Sequence, residues 1–282
     1  MRDPNRYRTI WISDLHLGTR DAKTAFLLDF LRQNESEYLY LVGDVVDGWA
    51  LRRSWYWDQT HNTVIQKLLR KVRKGTKVVY IPGNHDEFAR GYYGLHLGGI
   101  VIRPQAVHTT ADRRQLLVLH GDEFDGVIRY ARWLSVLGSQ AYQLALWLNR
   151  RVNRLRGRLG KPYWSLSAYL KLKAKRAVQF IADFEEAVVQ EAKTWEVDGV
   201  VCGHIHHAEK REIDGVLYAN CGDWVESCTA LVEHIDGRLE IIRWTDHARI
   251  LDPSTVIQET IHGDGLDTSA PALKPSAPRR AP

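Results

Sequence analysis

Seven side chains carry the chemistry of this sequence: Asp14, His16, Asp44, Asn84, His120, His204 and His206. They are of three kinds only, carboxylate, carboxamide and imidazole. Such oxygen and nitrogen donors suit borderline divalent ions such as Mn²⁺, Fe²⁺ and Zn²⁺. No cysteine joins them, which argues against a structural zinc site. Seven donors are too many for one tetrahedral ion. They fit two ions that share a bridging carboxylate, and two ions about 3.5–4 Å apart clamp a phosphate and activate a water. Spacing adds to this. Asp14 and His16 are two residues apart, as are His204 and His206, so in extended chain each pair would point to one face. Gly43, Gly83, Gly121 and Gly203 stand beside the donors, where glycine permits tight turns and close backbone approach. A lone D-x-H or H-x-H says little, because a single histidine on an apolar run is more often a core residue. The ordered set DLH, GDVVD, GNHD, HGD and GHIH says much more.

Five short apolar runs end on these clusters: Thr9–Ser13, Tyr38–Val42, Val78–Ile81, Leu116–Leu119 and Gly199–Cys202. Their length and their β-branched and aromatic content predict buried strands. Helical patterns fall at about Ala22–Arg32 and Thr60–Arg73. Strand–helix–strand alternation predicts an α/β sheet with helices on its faces, and ligands of open α/β sheets bind outside the carboxyl ends of strands. From Gly126 to about Trp195 the pattern turns helical. Leu134, Leu137, Ala141, Leu144, Ala145 and Leu148 recur at three- and four-residue steps. A second periodic run covers Ser167–Glu191, and Gly157, Gly160 and Pro162 mark a turn between them. This reads as a helical hairpin inserted at about 126–195. Strand patterns return from Tyr218 to Trp244. Residues 1–262 thus read as one domain. Residues 263–282, with four of the nine prolines, read as a disordered tail.

Composition bounds the answer. With 282 residues, 44% hydrophobic and 26% charged, the chain can build a sizeable core, which excludes wholesale disorder and collagen-like classes. Three cysteines are too few for a disulfide framework. No apolar run reaches 18 residues, and the N-terminus lacks the apolar region of a signal peptide. The expected location is cytoplasmic. The net charge of +5 is unevenly spread. Val127–Phe180 holds 12 of the 39 lysines and arginines and no acidic residue, leaving 27 basic against 34 acidic residues elsewhere. An acidic body that holds cations would carry a basic insert that meets an anion. A solvated helical face explains the insert equally well on charge alone.

The order D-x-H, G-D-x-x-D, G-N-H-D, H, G-H-x-H resembles the calcineurin-like metallophosphoesterase superfamily, over about Thr9 to Trp244. The resemblance implies a two-sheet β-sandwich flanked by helices. It implies that Asp14, His16, Asp44 and His206 hold one ion. Asp44, Asn84, His120 and His204 would hold the second, with Asp44 bridging. It further implies that His85 binds the phosphate and protonates the leaving oxygen, with Asp47 orienting it. A histidine near neutral pKa suits proton donation, and a carboxylate on its far nitrogen would fix its tautomer. Asp47 also reads as a helix cap, and His85 as a turn residue. Asp122, Asp223 and His207 read as supporting or turn residues. His61, His96 and His108 match no metal motif.

Within that superfamily the chain is most similar to the UDP-2,3-diacylglucosamine pyrophosphatases of lipid A synthesis. The similarity lies in the length, the helical insert between HGD and GHIH, the long helix before GHIH, and the block NCGDWVESCTALV. By resemblance, those enzymes use manganese to cleave a UDP-linked lipid to a lipid monophosphate and UMP at the inner face of the inner membrane. The insert could seat acyl chains against Trp133, Trp147, Tyr163 and Trp164 and meet anionic headgroups with its arginines, or it could simply pack on the body. Asn84, His85, Lys173 and Arg176 are the candidate substrate contacts. That family usually has arginine after the Asn of its GN block, where this chain has His85. A general phosphodiesterase or nuclease is the alternative, since a basic insert can track a phosphate backbone. The insert's apolar face disfavours nucleic acid. A scaffold without catalysis fits poorly, since every expected ligand position is filled. No protein partner follows from the sequence.

Overall fold

The computed structural model of the chain describes residues 4–124 and 166–246. The first half builds β1 (Asn5–Ile12), α1 (Thr24–Gln33), β2 (Asn34–Val42), α2 (Gly48–Arg53), α3 (Gln59–Arg73) and β3 (Lys77–Ile81). Four short strands follow: β4 (His96–Leu97), β5 (Ile100–Ile102), β6 (Ala106–Thr109) and β7 (Gln115–Val118). A long helix, α4 (Leu166–Thr194), leads into β8 (Gly199–Cys202). The chain then forms β9 (Glu209–Ile213), β10 (Val216–Asn220), β11 (Thr229–Glu233) and β12 (Leu239–Arg243).

These strands form two sheets. One has seven strands in the order β12-β11-β1-β2-β3-β5-β4, and the other has five in the order β6-β7-β8-β10-β9. β1, β2, β3 and β5 run parallel, as do β7, β8 and β10. The apolar runs are explained by burial on both faces. Ile10 and Ile12 point into one core with α1 and α3, through Leu27, Phe30, Val64 and Leu68. Trp11, between them, points into the core shared by the two sheets, with Tyr40, Leu116, Val118 and Val201. Leu117 and Leu119 point out of the second sheet onto Phe180, Phe184 and Val188 of α4. The layers are therefore helices, sheet, sheet, helix. The period-two alternation of side chains places each strand's residues alternately in adjacent cores.

The predicted strands and the helices α1 and α3 form where expected. Asp58 caps α3, accepting from the backbone N–H groups of Thr60 and His61 in a capping box. The insert predicted at 126–195 is described only from residue 166, as α4. The stretch 125–165, with Trp133, Trp147, Tyr163 and Trp164, lies outside the described residues, as does the predicted tail at 263–282. The pattern gave no sign of β4, β5, β6 or β9, which are short, and α2, also short, follows the cap read at Asp47.

A buried carboxylate joins the two sheets at the end remote from the donors. Glu233 of β11 accepts from Thr9 Oγ1 at 2.6 Å, from Ala111 N at 2.7 Å and from Arg8 at 2.8 Å, and it lies 3.0 Å from His108 Nε2. Burial alone would raise its pKa. The partners His108, Thr9 and Ala111 outweigh burial and hold the carboxyl at about 2, against an ordinary 4.5. A depressed carboxylate stabilises the fold above its unfolded pKa and loses that contribution as pH falls from 4.5 toward about 2. The loss is on the order of 3 kcal/mol. Urea midpoints measured between pH 6 and pH 2.5 should fall less steeply for Glu233→Gln than for wild type. Parallel slopes would remove Glu233 from the acid response.

Candidate metal centre

Five strands, drawn from both sheets, deliver their donors to one place. Asp14 and His16 follow β1, Asp44 follows β2, Asn84 follows β3, His120 follows β7, and His204 and His206 follow β8. Asp14, His16, Asp44, Asn84 and His120 are buried, and His204 and His206 are half-buried. The donors of Asp14, His16 and His206 lie within 4.8 Å of one another, as do those of Asp44, His120 and His204. Asn84 is buried beside Gly83 in the loop after β3.

Asp44 stands between the two groups. Its Oδ1 is 3.6 Å from His120 Nε2 and accepts from His85 N at 2.8 Å, while its Oδ2 is 3.7 Å from His16 Nε2. Asp14 Oδ1 lies 3.2 Å from His206 Nε2, and the ring nitrogens of His16 and His206 are 3.3 Å apart. Backbone groups fix the rest. His120 Nδ1 donates to Val42 O at 2.9 Å, which leaves Nε2 as the free donor atom. His204 N donates to Asp14 Oδ2 at 3.0 Å, and Trp224 N to Asp14 O at 3.0 Å.

The extended i, i+2 geometry read from the sequence is not what forms. Asp14, His16, Asp44, His204 and His206 all have left-handed backbone, with φ between 46° and 70°. The chain turns at each donor instead of running straight through it, and each such non-glycine residue costs about 1 kcal/mol or more. His204 and His206 consequently serve different groups. The glycines are needed for close approach. A Cβ on Gly83 would fall on Asp44 Oδ1 and on the His120 ring, and one on Gly203 would lie 2.6 Å from Ser13 Cβ.

Divalent cations fit these residues. Asp14 Oδ1 and His120 Nε2 are buried without a hydrogen-bond partner, and buried polar atoms of this kind call for an explanation. The charges are also suited. Burial alone would push His120 and His206 down, yet the carboxylates of Asp44 and Asp14 carry both up to about 9. Burial would raise Asp14, but His206, His120 and His16 hold it well below the usual carboxylate range. Without a cation these imidazoles therefore keep protons at neutral pH, and uptake must displace them. Cation affinity should rise with pH up to about 9, with net proton release at pH 7. Calorimetric titration in buffers of differing ionisation enthalpy measures the release. A buffer-independent heat would contradict it.

His85 lies beside the donors. Its ring sits between Trp49, at 4.4 Å between centroids, and the edge of His16, at 4.6 Å. Its Nδ1 is 2.9 Å from Asp47 Oδ2, and its Nε2 is 3.8 Å from Asp44 Oδ2. Asp47 contacts a helix N-terminus and two imidazoles. Oδ1 caps α2 by accepting from Ala50 N at 2.7 Å, and Oδ2 faces His85 while accepting from His16 Nδ1 at 3.0 Å. Burial would raise Asp47, but His16, His85 and the Ala50 N–H drive it far down.

Other sequence expectations divide. His207 is exposed and paired with Glu209 at 3.3 Å, so it does not support the donors. Asp223 is a turn residue that accepts from the N–H groups of Val225, Glu226 and Ser227. Asp122 pairs with Arg90. His61 belongs to the α3 cap, His96 is exposed and His108 is in the core. Lys173 and Arg176 fall on α4, but their side chains lie outside the described ones. Sequence reasoning missed Asp86. This fully buried carboxylate accepts from Gly83 N at 2.6 Å and Val45 N at 2.7 Å, tying the loop after β3 to the loop after β2. Its place inside GNHD was the available signal.

The family model for calcineurin-like phosphoesterase matches residues 7–208, and so spans every donor described above. The chain belongs to that family. This phosphoesterase is 26% identical over 212 residues to a protein of Photorhabdus laumondii named UDP-2,3-diacylglucosamine hydrolase, covering 73% of this chain and 84% of the relative. A relative of the same name from Pectobacterium carotovorum is also 26% identical, over 77% of this chain and 91% of its own. Among solved structures, the phosphoesterase Yfce of E. coli is 16% identical, covers 86% of this chain and 96% of its own, and has a TM-score of 0.44. The calcineurin-like phosphoesterase is thus a hydrolase of phosphoesters or pyrophosphates with candidate His/Asp seats for divalent metal. Among its described residues no helix is long and apolar enough to cross a membrane.

Proposed function

We propose that this phosphoesterase hydrolyses the diphosphate of a UDP-linked lipid sugar of the UDP-2,3-diacylglucosamine class, releasing a lipid monophosphate and UMP. One observation carries the reading: Asp44 stands between two donor groups, one oxygen toward each, beside His85. The names of the curated relatives supply the substrate class.

Asp14, His16, Asp44 and His206 would hold one cation. Asp44, Asn84, His120 and His204 would hold the other, and manganese suits an all-oxygen-and-nitrogen donor set. When bound, such a pair offsets charge on the phosphoryl oxygens and lowers the pKa of water. The chain's own residues do the remainder. Asp47 Oδ2 faces Nδ1 of His85 at 2.9 Å, so Nε2 is the nitrogen available to the substrate. His85 and Asn84 bind a phosphoryl oxygen. As the bond from phosphorus to the leaving oxygen breaks, Nε2 passes its proton to that oxygen. Trp49 and His16 flank the ring and limit its rotation. Lys173 and Arg176 of α4 are the proposed contacts to the distal phosphate.

The remaining assignments follow the same reading. Residues 1–262 form one metallophosphoesterase domain with the insert at 126–195, and 263–282 form a tail. The basic stretch Val127–Phe180 brings the enzyme from the cytoplasm onto the anionic inner face of the membrane.

Full-length protein loaded with Mn²⁺ and given UDP-2,3-diacylglucosamine in detergent micelles should release UMP, measured by chromatography. Cleavage of simple diesters or of RNA with the lipid substrate left intact would overturn the lipid assignment and point to a general phosphodiesterase.

A further inference from the structure

The geometry points to Arg90 and Asp122 as positioning residues, a latch between the two sheets that fixes the seat formed by Asp44, Asn84, His120 and His204. The inference rests on the two-cation reading above. Asn84 and His120 leave different sheets, on the loops after β3 and β7. Arg90 lies in the 3₁₀ helix Glu87–Tyr92, on the first loop's continuation, and Asp122 lies two residues past His120. Arg90 Nη2 meets Asp122 Oδ2 at 2.5 Å, across 32 residues of sequence.

Three observations set this pair apart from a surface ion pair. The Asp122 side chain is only 8% exposed, although Arg90 is 38% exposed, so the carboxylate end of the pair is shielded from solvent. Arg90 Nε and Asp122 Oδ1 are both buried without a hydrogen-bond partner. Two orphaned polar atoms are a cost, and a pair kept despite them needs a reason other than its own stability. The third observation is the close approach at Gly83, where the first loop presses against Asp44 and the His120 ring with no room for a methyl group. Asp86 fastens that loop to the Asp44 loop, within one sheet. Arg90 fastens it to the His120 loop, across the sheets. The donors Asp14, His16 and His206 come from loops after β1 and β8 that the latch does not touch. Breaking it should loosen one seat and spare the other.

The test is a Mn²⁺ titration of the full chain followed by electron paramagnetic resonance. Wild type should bind two ions and show the coupled signal of a close pair. Arg90→Ala and Asp122→Ala should keep the first ion and weaken the second by at least about tenfold, leaving the six-line signal of isolated Mn²⁺. Arg90→Lys should fall between them, and the charge-exchanged double variant Arg90→Asp/Asp122→Arg should recover part of the coupled signal. Should an alanine variant fail to fold, Asp122→Asn, nearly the same shape, gives the same readout. Two ions bound as in wild type, or both seats weakened equally, would overturn the latch. A wild-type chain that takes up no second ion would sink the two-cation reading itself.

Discussion

Asp44→Asn should reduce turnover on the order of a thousandfold or more while the chain stays folded. Its two oxygens face different donor groups, so one change withdraws charge from both seats at once. Several kcal/mol of charge stabilisation at phosphorus then disappear, and each 1.4 kcal/mol is about tenfold in rate. Asparagine keeps the size of the side chain, can still accept from His85 N, and tolerates the φ of 51° at this position. Fold is therefore separated from function. Activity, metal content and melting should be measured on one preparation. A variant that melts cooperatively and turns over at the wild-type rate would remove Asp44 from the reaction.

His85→Gln should cost about 10²–10⁴ with a phosphodiester whose leaving group is an alkoxide, the range expected when a positioned proton donor is lost. With bis-p-nitrophenyl phosphate the loss should be at least about tenfold smaller, since a phenolate leaves without needing a proton. That difference is the measurement. Equal losses with both substrates would make His85 a binding residue only. Asp47→Ala should follow the same leaving-group pattern, since Asp47 Oδ2 faces His85 Nδ1, and should add a weaker cation affinity, since it also accepts from His16 Nδ1.

The donors were legible because each closes an apolar run, and the runs are continuous because β1, β2, β7 and β8 are buried on both faces. A polar residue ending such a run stands at the rim of a sheet. Pairing was less legible. Two-residue spacing places Asp14 with His16 and His204 with His206 if the chain is extended, but the left-handed turns at these residues separate His204 from His206. Backbone handedness at a non-glycine residue is set by tertiary contacts, which local pattern does not carry. The same holds for Arg90 with Asp122 and for Glu233 with Thr9, whose partners are far apart in the chain. Asp47 shows a further limit. Capping and histidine contact were competing readings of one carboxylate, yet its two oxygens perform both.

The left-handed turns at Asp14, His16, Asp44, His204 and His206 have an evolutionary corollary. On backbone strain alone, glycine would suit every one of these positions better than the residue found there. Drift unopposed by selection for turnover thus leads toward sturdier descendants that keep the architecture and lose the reaction. The active form endures only where turnover is under selection.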